Sequence, residues 1–159
     1  SDPRFMDTIW PAGNLYTDAE QAGRFFEMLL NGGELDGTRI FSERTVFRST
    51  LETTRPAIDH TLMIPMRYGM GPMLGANPVG LFGPMSKHAF GHLGFSNILC
   101  WADPERDISV ALLSTGKSVV GTHLPALAKL LYQISTQCPR VPRQERRSVF
   151  GHDSQAVSV

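Results

Sequence analysis

The chain has 159 residues, of which 42% are hydrophobic and 19% charged, and its 15 Lys and Arg residues balance 15 Asp and Glu residues. This length and composition favour one globular domain with a core over a disordered chain. A formal net charge of +0 gives no field that would attract nucleic acid or an acidic membrane surface. No apolar run approaches the ~20 residues of a spanning helix, so we expect no nucleic-acid partner and no membrane span.

The N-terminal letters and the cysteines say little about compartment. SDPRFMD has neither a basic region nor an apolar core, so no signal peptide is expected. Cys100 and Cys138 fit no zinc spacing. They could pair with each other, but two isolated thiols more often stay reduced.

A first helix is predicted over residues 17–31. Thr17 and Glu20 have the spacing of a capping box, and Gly32-Gly33 end the helix. The apolar residues at helical spacing form one predicted buried stripe: Ala22, Phe25, Phe26, Leu29 and Leu30.

A second, short helix is predicted from a cap at Ser42 to about Thr50. Residues 54–87 then hold many Pro and Gly residues and five of the seven methionines. The sequence predicts a long irregular segment here, and such segments in compact domains are usually functional or mobile.

The second half of the chain predicts two strands and a helix. The strands lie near 94–102 and 107–114 and are antiparallel, because the tight turn DPERD separates two apolar runs. The second run is almost continuously apolar, so we expect it to be central in the sheet. These strands should pack against a C-terminal helix over 123–136, which gives an α+β fold with an antiparallel sheet.

The predicted C-terminal helix has Thr122 as its cap and Pro125 in its first turn. Its buried stripe is predicted to be Leu124, Leu127, Leu131 and Ile134. Residues 139–159 have few apolar residues and no periodicity, so they are predicted to form an extended or flexible tail beyond a domain of residues 1–138.

The octapeptide ALLSTGKS, residues 111–118, satisfies two motifs. It fits the loose Walker A pattern, and its letters STGK fit the S-x-x-K nucleophile motif. A P-loop has to pass directly into a helix, but Val119, Val120 and Gly121 follow here. The S-x-x-K serine has to open a helix, whereas Ser114 ends a predicted strand. We therefore predict a turn after a strand, and neither nucleotide binding nor a nucleophile.

The segment from Phe90 to Ser114, FGHLGFSNILCWADPERDISVALLS, contains the H-x-G triplet His92-Leu93-Gly94. It resembles the C-terminal strands of the serine β-lactamase-like family, which includes penicillin-binding proteins, class C β-lactamases and related esterases. In esterase-like members, H-x-G is the third active-site motif, at the start of a strand. The resemblance extends back through residues 11–46 and the YGMG letters at 68–71. It covers about Trp10 to Ile134.

The resemblance implies roles for three residues. Gly94 would leave room for an oxyanion to approach the backbone N–H of Phe95, the matching oxyanion-hole donor. His92 would contact the substrate or the hydrogen bonds of the nucleophile. The alternative is that His92 is an ordinary strand histidine with one satisfied nitrogen.

Tyr68, Met70 and Met73 are the candidate substrate-binding residues. They belong to a loop whose apolar side chains would form a flexible apolar wall: Met63, Met66, Met70, Met73, Leu74, Leu81, Phe82 and Met85. The alternative is that these side chains merely fill the core beneath a long loop.

His88 and His92 are four residues apart, which suggests a metal site. Gly91 and Gly94 argue against a helix there, and neither a carboxylate partner nor a third ligand is evident. We predict no metal and no cofactor.

The family's activity needs two further motifs, a helical S-x-x-K and a Y-x-N. The sequence has no Y-x-N, and its one S-x-x-K is the rejected STGK. We expect this chain to be the C-terminal part of a longer serine hydrolase and inactive alone. The substrate would be an ester with an apolar acyl group or, alternatively, a β-lactam or a D-Ala-D-Ala peptide, and a non-catalytic binding relative is a further alternative. The missing N-terminal part would be a partner in the same sheet, and an exposed edge strand or apolar patch would favour self-association.

Overall fold

The computed structural model describes residue 4 and residues 7–9, 15–54, 57–94, 98–115 and 121–142. Its helices in these ranges are α1 (Ala19–Leu30), α2 (Glu43–Thr50) and α3 (Leu124–Gln137). Its strands are β1 (Glu34–Leu35), β2 (Thr38–Arg39), β3 (Ala57–Asp59), β4 (Ile64–Tyr68), β5 (Met73–Leu74), β6 (Val79–Gly80), β7 (Gly83–Pro84), β8 (Phe90–Leu93), β9 (Leu99–Asp103) and β10 (Ile108–Leu112).

The main sheet has six strands in the order β10-β9-β8-β5-β4-β3, and every neighbouring pair is antiparallel. Two short hairpins, β1–β2 and β6–β7, lie outside this sheet. The predicted α+β class with an antiparallel sheet is therefore confirmed.

Helices cover both faces of the sheet. On the α1 face, the packed side chains come from α1, α2, β5, β8 and β9: Phe26, Leu29, Leu30, Val46, Leu74, Phe90 and Ala102. On the α3 face, the helical side chains Leu127, Leu131 and Ile134 join a cluster that includes Met66, Met73, Phe82, Leu99 and Trp101. The prediction that the β9–β10 pair packs against the C-terminal helix is confirmed, and α1 covers the opposite face.

The N-cap of helix α1 lies one residue later than predicted. Its N-cap is Asp18, whose side chain accepts a hydrogen bond of 2.8 Å from the Gln21 N–H. The predicted cap Thr17 is wrong; its hydroxyl donates to the Asp18 carbonyl at 3.3 Å. Both residue types cap helices, and an Asp adjacent to the Thr offered the better acceptor here. The helix ends where Gly32 and Gly33 take positive φ values of 65° and 96°, as predicted.

The predicted stripe of α1 is wrong for Phe25, which is 50% exposed. Met28 and Leu30 are the buried residues of the helix, and Phe26 and Leu29 are half-buried. The helix is therefore rotated so that Phe25 lies at the edge of the packed face, with its ring at an edge-to-face distance of 5.5 Å from Phe26.

Helix α2 is confirmed, with Ser42 accepting a hydrogen bond of 3.1 Å from the Thr45 N–H. Helix α3 has Pro125 in its first turn as predicted, but its N-cap is His123, without a side-chain hydrogen bond, and not Thr122. Leu124 is exposed, contrary to the predicted stripe.

The two predicted strands are shorter than expected, and one is in a different place in the sheet. β9 ends at Asp103, so this residue belongs to the strand and not to the turn. β10 was predicted to be central, but among the described strands it pairs with β9 alone and lies at the edge. Its continuous apolar pattern reflects half-burial on both faces, since all five residues are half-buried.

Residues 54–87 were predicted to be irregular, and this prediction is wrong for their described part. They contain strands β3 to β7, of which three belong to the main sheet. Strands of two to five residues joined by Gly and Pro turns give no clear periodicity in the sequence.

A buried ion pair fixes the turn between β9 and β10. Arg106 and Asp103 are 2.6 Å apart, with side chains 5% and 3% exposed. The Arg106 guanidinium also donates to the Ser135 carbonyl of α3 at 2.9 Å, and Asp103 accepts from the Glu105 N–H at 2.9 Å. The turn is thus attached to the end of α3.

The described start of the predicted tail is held against the same turn. The Val141 N–H donates to the Glu105 carbonyl at 2.9 Å, and Arg140 forms an ion pair of 3.1 Å with the Glu105 carboxylate. The remainder of the tail, residues 143–159, lies outside the described residues.

Ser114 follows β10 and is not in a helix, which agrees with the rejection of the S-x-x-K motif. Lys117 lies outside the described residues. In the ranges that the structure describes, no helix is long and apolar enough to cross a membrane.

Candidate active site

The site is built on β8, which carries the letters FGHL. Side chains alternate along a strand, so Phe90 and His92 point to the α1 face and Leu93 to the α3 face. The H-x-G motif was predicted to start a strand, and this is wrong: His92 is the third of four residues in β8, and Gly94 follows its end. The motif therefore lies where the chain leaves the sheet.

Gly91, which sequence reasoning did not single out, is required by the packing of β8. A Cβ atom there would lie 2.2 Å from the Cys100 carbonyl oxygen and 2.4 Å from the Trp101 Cβ. Only glycine lets β8 approach β9 this closely. The signal was present, since an isolated glycine in a strand often marks a close backbone approach.

The His92 side chain is exposed, and its Nδ1 lies 2.9 Å from the Leu93 carbonyl oxygen. Because a carbonyl oxygen only accepts, this contact holds the proton on Nδ1. In the neutral ring, Nε2 is then an acceptor. The imidazole can thus accept a proton or a hydrogen bond from a group bound on the α1 face.

Gly94 is in a different situation from Gly91. Its N–H donates to the Ile98 carbonyl at 2.6 Å, and a Cβ atom there would come no closer than 3.3 Å to Ile98. A methyl group at this position would make a tight contact with Ile98, which a shift of a few tenths of an ångström would relieve. The predicted oxyanion donor Phe95 lies outside the described residues.

Two cavities flank the end of β8. The α1-face cavity, about 350 Å³, has His92 and Gly91 in its lining, and the turn before β5 borders it through Gly71. The α3-face cavity, about 660 Å³, is lined by Gly94, Tyr68 and Met73 among others.

The structure therefore divides the candidate site residues between the two faces. Tyr68, Met73 and Gly94 share the α3-face cavity, whereas His92 belongs to the α1-face cavity. Met70 is 70% exposed, and its N–H donates to the Ser49 carbonyl at 2.9 Å beside the α1-face cavity.

Seven of the eight apolar side chains predicted to form a flexible wall divide into two groups, and the eighth, Leu81, is half-buried. Met66, Met73, Leu74 and Phe82 are buried in the core, as the core-filling alternative described. Met63, Met70 and Met85 are exposed.

Tyr68 and Asp59 form the polar part of the α3-face cavity. The Tyr68 hydroxyl donates to Asp59 Oδ2 at 2.5 Å, and Asp59 Oδ1 accepts from the N–H groups of Thr61 and Leu62 at 2.8 and 2.9 Å. Burial, followed by the hydrogen bond to Asp59, raises the pKa of Tyr68 to about 12. The same hydrogen bond, with the two N–H groups, lowers the pKa of Asp59.

We expect the Tyr68 phenol to titrate about two pH units above an ordinary tyrosine, whose pKa is about 10. Since the raised pKa favours the neutral phenol in the fold, this stabilisation is complete below pH ~10 and is lost between about pH 10 and 12. The measurement is the ultraviolet difference titration of the chain against its Tyr68→Phe variant, within the pH range where the circular dichroism is unchanged.

The Asp59→Asn variant separates the two causes. Its Tyr68 pKa should fall from about 12 but stay above the ordinary value, because burial is the larger cause. A wild-type Tyr68 that titrates like a free tyrosine would contradict the structure.

Within the described part of the chain, no group of three or more His, Cys, Asp or Glu side chains is placed to hold a metal ion. Cys100 and Cys138 are both free thiols, and burial raises the pKa of Cys100. Cys100 is the strand partner of His92.

Comparison with known proteins identifies the class. The sequence model of the Beta-lactamase family matches residues 1–133. The chain therefore belongs to the beta-lactamase family.

Three relatives give a finer picture. The chain is 31% identical over 108 residues to "Esterase/beta-lactamase LipL" of Mycobacterium tuberculosis (strain ATCC 25618 / H37Rv). The aligned residues make up 68% of this chain and 24% of that protein. Its fold is similar to a penicillin-binding protein homolog from Caulobacter crescentus (TM-score 0.64, 26% identity, 76% of this chain and 32% of that chain). It is also similar to a family VIII carboxylesterase (TM-score 0.58, 25% identity, 74% and 31%).

The chain thus spans about a quarter of the length of the curated relative and about a third of each solved structure.

Proposed function

We propose that this chain is the C-terminal part of a serine hydrolase that cleaves carboxylic esters, and that the end of β8 forms one wall of its active site. In the proposed reaction, a serine attacks the ester carbonyl, the alcohol leaves, and water releases the acid. His92 faces the reacting groups, and the Phe95 N–H stabilises the oxyanion beside Gly94.

The observation that carries this proposal is the difference between Gly91 and Gly94. Packing requires glycine at 91, where a Cβ would lie 2.2 Å from a carbonyl oxygen, whereas at 94 a Cβ would lie 3.3 Å from the Ile98 Cβ and would need only a small shift of that side chain. A glycine at a position where a Cβ would need only a small shift of a described neighbour, two residues after an exposed histidine, supports a functional reason for Gly94: clearance for a substrate.

The nucleophile and the Y-x-N motif would come from a part of the protein that precedes these residues in the family. The proposal that the missing part completes the same sheet is supported by the position of β10, which leaves one strand edge unpaired within the described sheet. In the absence of that part, the same edge would favour association of two copies of the chain.

An ester is the favoured substrate class for two reasons. Two of the relatives are named as an esterase/beta-lactamase and a carboxylesterase. The third motif has His92 where β-lactamases and peptidases of the family have a lysine, which can pair with a substrate carboxylate. A β-lactam remains the competing substrate, since one relative's name also includes beta-lactamase.

We expect the isolated chain to hydrolyse neither p-nitrophenyl esters nor a chromogenic cephalosporin, because activation needs a serine with a base in reach. The intact protein should hydrolyse p-nitrophenyl esters with a higher kcat/KM than the cephalosporin or a D-Ala-D-Ala peptide. The measurement is kcat/KM for these substrates on both proteins.

Two outcomes would contradict the proposal. Faster turnover of the cephalosporin or the peptide than of every ester would overturn the esterase assignment. Turnover by the isolated chain, with covalent labelling of Ser114 by a serine-directed phosphonate, would show that STGK is a nucleophile motif.

A further inference from the structure

We infer that the α1-face cavity is the acyl pocket of this site, and that Phe25 and Phe41 set the length of the acyl group. This assignment rests on the proposed esterase function. It differs from the expectation that the methionine-rich loop forms the apolar wall, because the cavity beside His92 is lined mainly by α1, α2 and the aromatic residues next to them.

The cavity has a fixed floor and a more accessible rim. Phe90 and Val46 are fully buried in the lining and belong to the core cluster of the α1 face. Phe25 and Phe41 also line the cavity but are 50% and 40% exposed. An apolar group that enters between the two rings would remove exposed aromatic surface from water, which is favourable.

The hydroxyl groups in the lining have partners within the protein. Ser49 and Thr50 donate to the Val46 carbonyl at 2.7 and 3.1 Å. The Thr45 hydroxyl shares a hydrogen bond of 2.8 Å with Ser42. These hydroxyl groups therefore need no hydrogen-bond partner from a bound ligand, and the lining favours an apolar ligand group.

The α3-face cavity is less suited to this role despite its larger volume. The His92 side chain and the α3-face cavity are on opposite faces of the sheet, and β8 pairs with β5 on one side and with β9 on the other. A substrate whose reacting atoms touch the imidazole reaches the α3-face cavity only around the end of β8, where Gly94 lies, and not through the hydrogen-bonded sheet. It extends directly into the α1-face cavity, which His92 itself lines.

The volume limits the guest. About 350 Å³ is at the lower end of the ~300–1,000 Å³ range of ligand pockets. The cavity therefore has room for a short alkyl or aryl acyl group, and its apolar lining offers a peptide few partners for its backbone N–H and C=O groups.

The test uses the intact protein and three variants. Thr45→Trp adds bulk at an exposed helical position in the lining, and Phe25→Ala removes part of the rim. The control Tyr132→Ala removes a similarly exposed aromatic ring from α3, outside this cavity. Two readouts are compared: kcat/KM for p-nitrophenyl acetate through octanoate, and binding of hexanamide, which is followed through the NMR signals of labelled phenylalanine rings.

We expect Thr45→Trp to lower the ratio of hexanoate to acetate kcat/KM by about tenfold or more, the usual range for lost apolar contacts in a specificity pocket. Phe25→Ala should move the best substrate to a longer chain, and Tyr132→Ala should leave the profile unchanged. Hexanamide should shift the Phe25 and Phe41 ring signals, and Thr45→Trp should abolish these shifts.

The two proposals fail separately. Ester hydrolysis with an unchanged chain-length profile in Thr45→Trp and no hexanamide shifts would overturn the acyl pocket and leave the esterase function. Hexanamide shifts that Thr45→Trp abolishes, in a protein that hydrolyses no ester, would overturn the esterase function and leave an apolar ligand site. Absence of hexanamide shifts because another part of the intact protein fills the cavity would also overturn the pocket.

Discussion

Replacing Arg106 with Ala should lower the free energy of unfolding by about 3–5 kcal/mol, the usual cost of breaking a buried ion pair from one side. The Asp103 carboxylate would stay buried, with its side chain 3% exposed, and would lose its cationic partner. The Ser135 carbonyl of α3 would also lose the hydrogen bond from the guanidinium. The measurement is the midpoint of urea unfolding of the chain.

The matched control is Arg24→Ala. Arg24 pairs with Asp36 at the surface, and the two side chains are 40% and 70% exposed. Exposed pairs contribute ~0–1 kcal/mol, so this variant should unfold at nearly the wild-type urea concentration. Equal effects of the two substitutions would show that the Asp103–Arg106 pair is not buried in solution.

The ion pair also shows which feature of this turn could be predicted from the sequence and which could not. The letters DPERD correctly predicted a turn between two antiparallel strands, since turn chemistry is local. The burial of Arg106 was not visible, because it depends on α3, which returns about thirty residues later to place the Ser135 carbonyl against the guanidinium. A charged residue in a turn is normally assigned to solvent.

The position of β10 was mispredicted for a related reason. A continuous apolar run indicates that both faces of a strand are covered, but not that both edges are paired. Here Val110 and Leu112 pack toward the α3 cluster, and α1 covers the other face of the strand pair. The sequence therefore predicted the packing against the C-terminal helix correctly and the position of β10 in the sheet incorrectly.

The sequence indicated which residues belong to the candidate site, but not on which face of the sheet each of them lies. His92, Gly94 and Tyr68 were chosen because their motifs resemble those of the serine β-lactamase-like family. The alternation along β8 then places His92 on one face and Leu93 on the other. Tyr68 lies with Met73 on the α3 face because these two residues are direct partners in the β4–β5 pair. Such a register cannot be derived when a strand has two residues, as β5 does.

Substituting Ala at Gly94 and at Gly91 should separate the catalytic contribution of the motif from its structural one. Gly94→Ala should lower kcat of the intact protein for p-nitrophenyl esters by about 10²–10³, the cost of losing one oxyanion-hole donor, because the new methyl group hinders approach to the Phe95 N–H. Its free energy of unfolding should change much less than that of Gly91→Ala, since the new Cβ would lie 3.3 Å from the Ile98 Cβ, a contact that a small side-chain shift relieves. Gly91→Ala adds the same methyl group but places it 2.2 Å from the Cys100 carbonyl oxygen, so it should destabilise the fold by at least the ~1–3 kcal/mol typical of overpacking.

Urea unfolding and ester kinetics on both variants provide the comparison. A Gly94→Ala protein with normal kcat would remove Gly94 from the proposed mechanism.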